Sequence, residues 1–79
     1  MRELVESLVR ALVDDPDAVR VTELDSGDGT VIEVRVADGD VGRVIGREGR
    51  VANAIRTLAK AAATAEDAGR VMVEMVEND

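Results

Sequence analysis

The chain has 79 residues, a net charge of −7, and neither cysteine nor histidine. Disulfide frameworks, thiolate metal sites and cysteine nucleophiles are thereby excluded, and the commonest general base and zinc ligand are missing. A chain this short makes one domain, over residues 1–79, with a modest core, and without Phe, Tyr or Trp it has no aromatic platform on which nucleobases stack.

Residues 2–13 read as a helix. Leu4, Leu8 and Leu12 recur every fourth position, and Val5, Val9 and Val13 repeat the pattern one position round. The resulting apolar face is broader than a single stripe. It serves to meet the sheet and a neighbouring helix, or in part another chain. Asp14-Asp15-Pro16-Asp17 ends the helix, because a residue before proline avoids the helical region. The opening Met1-Arg2-Glu3 and the amphipathic pattern behind it are not a signal peptide. No apolar run approaches the roughly 20 residues of a membrane helix. The expected location is the cytoplasm, with no membrane partner.

Residues 19–24 read as a strand, with Val19 and Val21 on one side and Arg20 and Thr22 on the other. Asp25-Ser26-Gly27-Asp28-Gly29 is a hairpin turn. It is not a calcium loop: counted from Asp25, glycines fill the third and fifth ligand positions and Val36 the twelfth. No metal or other cofactor is expected. Residues 30–37 form a second strand, in which Ile32, Val34 and Val36 alternate with Glu33 and Arg35. Asp40 is placed to cap a short helix over 41–45. Gly46 ends that helix. The longest helix runs from Arg50 to about Ala63, with Val51, Ile55, Leu58 and Ala62 as its buried stripe. Residues 64–69 connect to a last strand over 70–76, with Val71, Val73 and Met75 inward and Glu74 and Glu77 toward water, ahead of an acidic tail. The fold class is α+β: a two-layer sandwich, a three-stranded sheet with helices on one face, in the order α-β-β-α-α-β.

The charge is not evenly spread. From Val41 to Ala63 lie Arg43, Arg47, Arg50, Arg56 and Lys60 against Glu48 alone, so this segment carries +4 and the remainder −11. A polyanion responds to the field within roughly 8–10 Å at cellular salt, more than to total charge. At the centre of the segment, Gly46 and Gly49 allow positive φ and leave no Cβ between backbone and ligand. The long helix starts at the second glycine, and its free N–H groups favour an anion there. Arg47 and Arg50 add mobile charge, and Arg43, Arg56 and Lys60 extend it. Gly42, Val44 and Ile45 supply an aliphatic floor for bases, and Asn53 lies one helical turn beyond Gly49 and Arg50, within reach of a base edge or phosphate. This constellation suits the phosphates of a nucleic-acid single strand. A lone Gly-x-x-Gly is weak evidence. Val-Ile-Gly-x-x-Gly-x-x-x-x-x-Ile, after a two-strand hairpin and before a strand, is much stronger.

The stretch Val41-Gly42-Arg43-Val44-Ile45-Gly46-Arg47-Glu48-Gly49 resembles the signature of KH domains, whose Gly-x-x-Gly loop holds about four nucleotides. The element order resembles the bacterial type II arrangement, and the length is similar to that of the small stand-alone KH proteins of the KhpA family. The resemblance spans the whole chain. It implies binding of single-stranded RNA with little sequence preference, an RNA-chaperone or post-transcriptional role, and homodimers or pairing with a KhpB-like KH protein. It also implies links to cell-wall homeostasis and cell shape. By position in the motif, Gly46, Arg47, Glu48 and Gly49 form the clamp, and Gly42, Val44 and Ile45 line the base groove. Glu48 departs from the basic or neutral residue usual there and sets a carboxylate beside the expected phosphates. The alternative reading is an adaptor for protein partners that keeps the fold without depending on RNA. An enzyme is not expected: no hydroxyl has a histidine base, there is no catalytic residue to name, and Gly-x-x-x-x-Gly-Lys-Ser/Thr is absent.

Overall fold

The computed structural model describes residues 1–77. Asn78 and Asp79, the end of the acidic tail, lie outside the described residues. The elements are α1 (Arg2–Leu12), β1 (Arg20–Ser26), β2 (Gly29–Arg35), α2 (Val41–Ile45), α3 (Arg50–Ala65) and β3 (Arg70–Met75), with single 3-10 turns at Pro16–Ala18, Asp38–Asp40 and Arg47–Gly49. The order and the α+β class are those expected from the sequence.

The sheet order is β1-β2-β3. The first pair is an antiparallel hairpin closed by Gly27 and Asp28, with Ser26 opposite Gly29. β3 joins β2 in parallel. A parallel neighbour cannot be reached by a tight turn, so the chain crosses over through α2, a loop and α3. That crossover carries Gly46 and Gly49. It also leaves β3 as an edge strand.

Period-2 alternation sets the two faces. Val21, Val34 and Met75 align across the strands on the inner face, as do Glu23, Ile32 and Val73. Val5, Val9, Val44, Ile55, Ala59 and Ala63 from the helices meet this inner face in one cluster with Ile32, Val34, Val71 and Val73. Val5 and Val9 are fully buried, about 1.5–3 kcal/mol each relative to exposure, and fix α1 to the sheet. The leucines of the same helix do not enter the core: Leu4 and Leu12 are 38% and 39% exposed. Only the valine half of the broad face packs inside the chain.

Two expectations are corrected. The buried stripe of α3 is Ala52, Ile55, Ala59 and Ala63, one position round from the expected one; Leu58 is 50% exposed, and Val51 and Ala62 are only half-buried. Alanines face the sheet because a small side chain lets the helix axis approach it closely, and the larger Val51 and Leu58 turn toward α1. Asp40 is the residue before α2, but its side chain caps nothing there. Its carboxylate accepts the backbone N–H of Asp14 and of Asp15, each at 3.0 Å, at the far end of α1.

Candidate nucleic-acid interface

Asp40 is the starting point for the loop geometry. It is 3% exposed. Besides the two N–H groups, it faces the Arg43 Nε at 3.3 Å, and Arg43 Nη2 reaches Asp14 at 2.9 Å. A buried carboxylate is stable only when charge and hydrogen bonds satisfy it. Together these contacts bind the start of α2 to the end of α1. Arg43 is therefore paired with two acids while its side chain stays about half-exposed. Asp40 was not singled out as part of this site by its sequence, and its partners lie 25 and 26 residues away, so no local pattern marks it.

Val44 is 1% exposed and belongs to the core, so it supports α2 from beneath and offers no surface to a base. Gly42 and Ile45 lie on the exposed side of the same short helix. The Gly46 N–H donates to Gly42 O at 2.9 Å and closes it. Gly46 has φ 76° and ψ 174°, a region essentially restricted to glycine. A Cβ there would stand 2.4 Å from Val51 Cγ2 and 2.8 Å from Val51 Cβ. Sterics and backbone thus both demand glycine. Gly49 has φ 76° and ψ 13°, and a Cβ there would meet only Asn53 Nδ2, at 3.9 Å. Its backbone is open to an incoming group.

Between them, Arg47 and Glu48 are exposed. Glu48 sits at φ 56°, ψ 26°, a left-handed conformation costing about 1–2 kcal/mol for a residue with a Cβ. Its carboxylate lies 3.9 Å from Arg50 Nη2, and both side chains are about three-quarters exposed, so the pair is weak. No side chain caps the first turn of α3. The Gly49 N–H donates to Gly46 O at 3.2 Å and the Arg50 N–H to Arg47 O, so the N-terminal end of α3 points past Gly49 beside Arg47 and Arg50.

Along α3 the remaining cations divide between two sides. Asn53, Arg56 and Lys60 lie toward β3. Arg56 Nε donates to Val73 O at 3.0 Å, and its Nη1 donates to Asn53 Oδ1 at 3.0 Å. Lys60 and Thr64 line a groove of about 360 Å³ with Gly69, Arg70 and Met72, between α3 and the free edge of β3. On the other side, Arg50, Val51, Ala54 and Leu58 face Leu8 and Leu12 across an apolar groove of about 360 Å³. The structure therefore brings Gly46, Arg47, Glu48, Gly49, Arg50 and Asn53 together, with Lys60 further along. It buries Val44 in the core, pairs the exposed Arg43 with Asp14 and Asp40, and uses Arg56 as a strut. Among the described residues there is no group of His, Cys, Asp and Glu able to hold a metal ion, and no helix is long and apolar enough to cross a membrane.

The family model described as "KhpA/KhpB, KH domain" matches residues 2–75. Among curated proteins, the RNA-binding protein KhpA of Caldanaerobacter subterraneus subsp. tengcongensis is 53% identical over 76 residues, covering 96% of this chain and all of that protein. The RNA-binding protein KhpA of Clostridium acetobutylicum is 46% identical over 76 residues, with the same coverage. That of Halalkalibacterium halodurans is 46% identical over 77 residues, covering 98% of this chain and all of the relative.

Proposed function

We propose that this chain, which belongs to the KhpA/KhpB family of KH domains, binds single-stranded RNA with little sequence preference through its Gly46–Gly49 loop. The family is one of RNA binders, not of enzymes. The observation that carries the loop assignment is the backbone at Gly46 and Gly49. Both have φ 76°; one is packed where only glycine fits, the other open where a phosphate approaches. Arg47, Arg50 and the first turn of α3 converge on that opening. With neither aromatic rings nor a site for a cofactor in this reading, affinity comes from phosphates and specificity is low.

The role that follows is post-transcriptional, as an RNA chaperone in the cytoplasm, with cell-wall homeostasis and cell shape as its downstream setting. Residues 1–79 act as one domain. The loop carries Glu48 on a chain of net charge −7, so a lone copy binds weakly and a second RNA-binding chain adds avidity. That partner is a second copy or a KhpB-like KH protein. The apolar groove between α1 and α3, with exposed Leu12 and Leu58, supports a protein–protein contact. The same groove is what favours the adaptor reading.

The test is the pair Arg47→Asp with Glu48→Asp, with binding to a fluorescein-labelled 12-nucleotide single-stranded RNA read by anisotropy. The reading requires loss of binding with an unchanged circular dichroism spectrum. Unchanged affinity removes the loop from the site. An adaptor keeps its protein partners after nuclease treatment of a cell extract; an RNA binder loses most of what co-purifies with it.

A further inference from the structure

Arg56 sits in the cationic segment, yet unlike Arg50 and Lys60 it is half-buried. Its guanidinium is engaged inside the protein, on Val73 O and on Asn53 Oδ1. A guanidinium has donors only, and a side-chain amide has one acceptor end and one donor end. Asn53 must therefore present its oxygen to Arg56 and turn its nitrogen away. That nitrogen lies beside the loop, 3.9 Å from where a Cβ on Gly49 would stand. Among the described residues Nδ2 donates to no partner. Arg56 also occupies the carbonyl that Val73 presents to the free edge of β3. Both acceptors are thus engaged by Arg56, and the amide N–H₂ of Asn53 remains.

We propose that Asn53 is a phosphate-binding residue whose donor end is locked toward the Gly46–Gly49 loop by Arg56. Arg56 is a positioning residue and acts on RNA through Asn53. The group received at this position is a phosphate oxygen of the strand that crosses Gly49, which has acceptors and no donors. The proposal rests on the loop reading above and adds to it a neutral donor of fixed polarity.

The decisive substitution is Asn53→Asp. Aspartate keeps an oxygen for Arg56, so the strut and the fold survive, but it replaces the N–H₂ donor with a second acceptor and a negative charge. Binding of the labelled 12-nucleotide RNA is expected to weaken by more than about tenfold, while Asn53→Ala, which only deletes the donor, weakens it by about three- to tenfold. Thermal melting of both variants stays near that of the unsubstituted chain. A double-mutant cycle tests the lock: in an Arg56→Met background the amide is free to rotate, and Asn53→Ala then costs less than about twofold. A merely structural role for Arg56 gives losses that multiply independently, and that result overturns the lock. If Asn53→Asp binds as tightly as the unsubstituted chain while Arg47→Asp with Glu48→Asp does not bind, the Asn53 assignment falls and the loop stands. If all bind equally, both fall.

Discussion

Replacing Gly46 by alanine should cost far more than the same change at Gly49, although both glycines have φ 76°. At Gly46 the backbone lies at ψ 174°, in the region that only glycine populates, which costs about 1–3 kcal/mol for any other residue. The new methyl also lands 2.4 Å from Val51 Cγ2. Val51 packs against the core, so it cannot step aside freely, and such overpacking adds about 1–3 kcal/mol. The total is about 2–6 kcal/mol, against about 4–12 kcal/mol for a whole chain of this length. At Gly49 the backbone is ordinary left-handed helix with no clash, at about 1–2 kcal/mol. Urea denaturation followed by circular dichroism distinguishes the two. With a slope of about 1 kcal/mol per M, Gly46→Ala lowers the midpoint by about 2–6 M or leaves no folded baseline, and Gly49→Ala lowers it by about 1–2 M. Equal shifts would refute the steric argument that Val51 excludes a Cβ at Gly46.

Asp40→Ala strands two backbone N–H groups and the Arg43 guanidinium, and should destabilise by about 2–4 kcal/mol in the same urea assay, with Asp40→Asn losing roughly half of that. Glu48→Lys replaces the acid nearest the expected phosphates, so RNA affinity should rise several-fold, by about tenfold at low salt. The slope of log affinity against log salt should steepen by about 0.7 for the added contact, measured by anisotropy from low to physiological salt. Leu58→Glu changes an exposed position, so stability should stay within about 0.5 kcal/mol. Self-association or capture of a KH partner, measured by analytical ultracentrifugation, should be lost, and persistence of the complex would place the contact elsewhere.

The elements were legible because each has its own period. Alternation at Ile32, Val34 and Val36 and fourfold recurrence along residues 2–13 place strand and helix within a residue or two of the observed bounds. The short helix over 41–45 and its glycine stop were found directly, since positive φ at Gly46 has few other hosts. Long-range placement was hidden. Nothing local to Asp40 announces partners 25 and 26 residues upstream, and nothing local to Arg43 announces Asp14, 29 residues away. Apolar size misled the reading of α3: Leu58 outranks Ala59 on any hydrophobic scale, but the close approach of helix to sheet selects the alanine. Arg56 reads in the sequence as one more positive charge, because the Val73 carbonyl that accepts its Nε–H lies 17 residues away. The expected groove-lining role of Val44 failed for a related reason. On a five-residue helix, one side must face the core, and periodicity over so short a span does not say which.

The most direct test follows backbone amides by ¹⁵N–¹H correlation spectra while an eight-nucleotide single-stranded RNA is added to the intact chain. The largest shifts are expected on Gly46, Arg47, Glu48, Gly49 and Arg50, with smaller ones at Asn53 and Lys60, while Gly27, Asp28 and Leu24 stay in place. Shifts concentrated on the hairpin or on Leu8, Leu12 and Leu58, with the Gly46–Gly49 amides unmoved, would contradict the loop assignment.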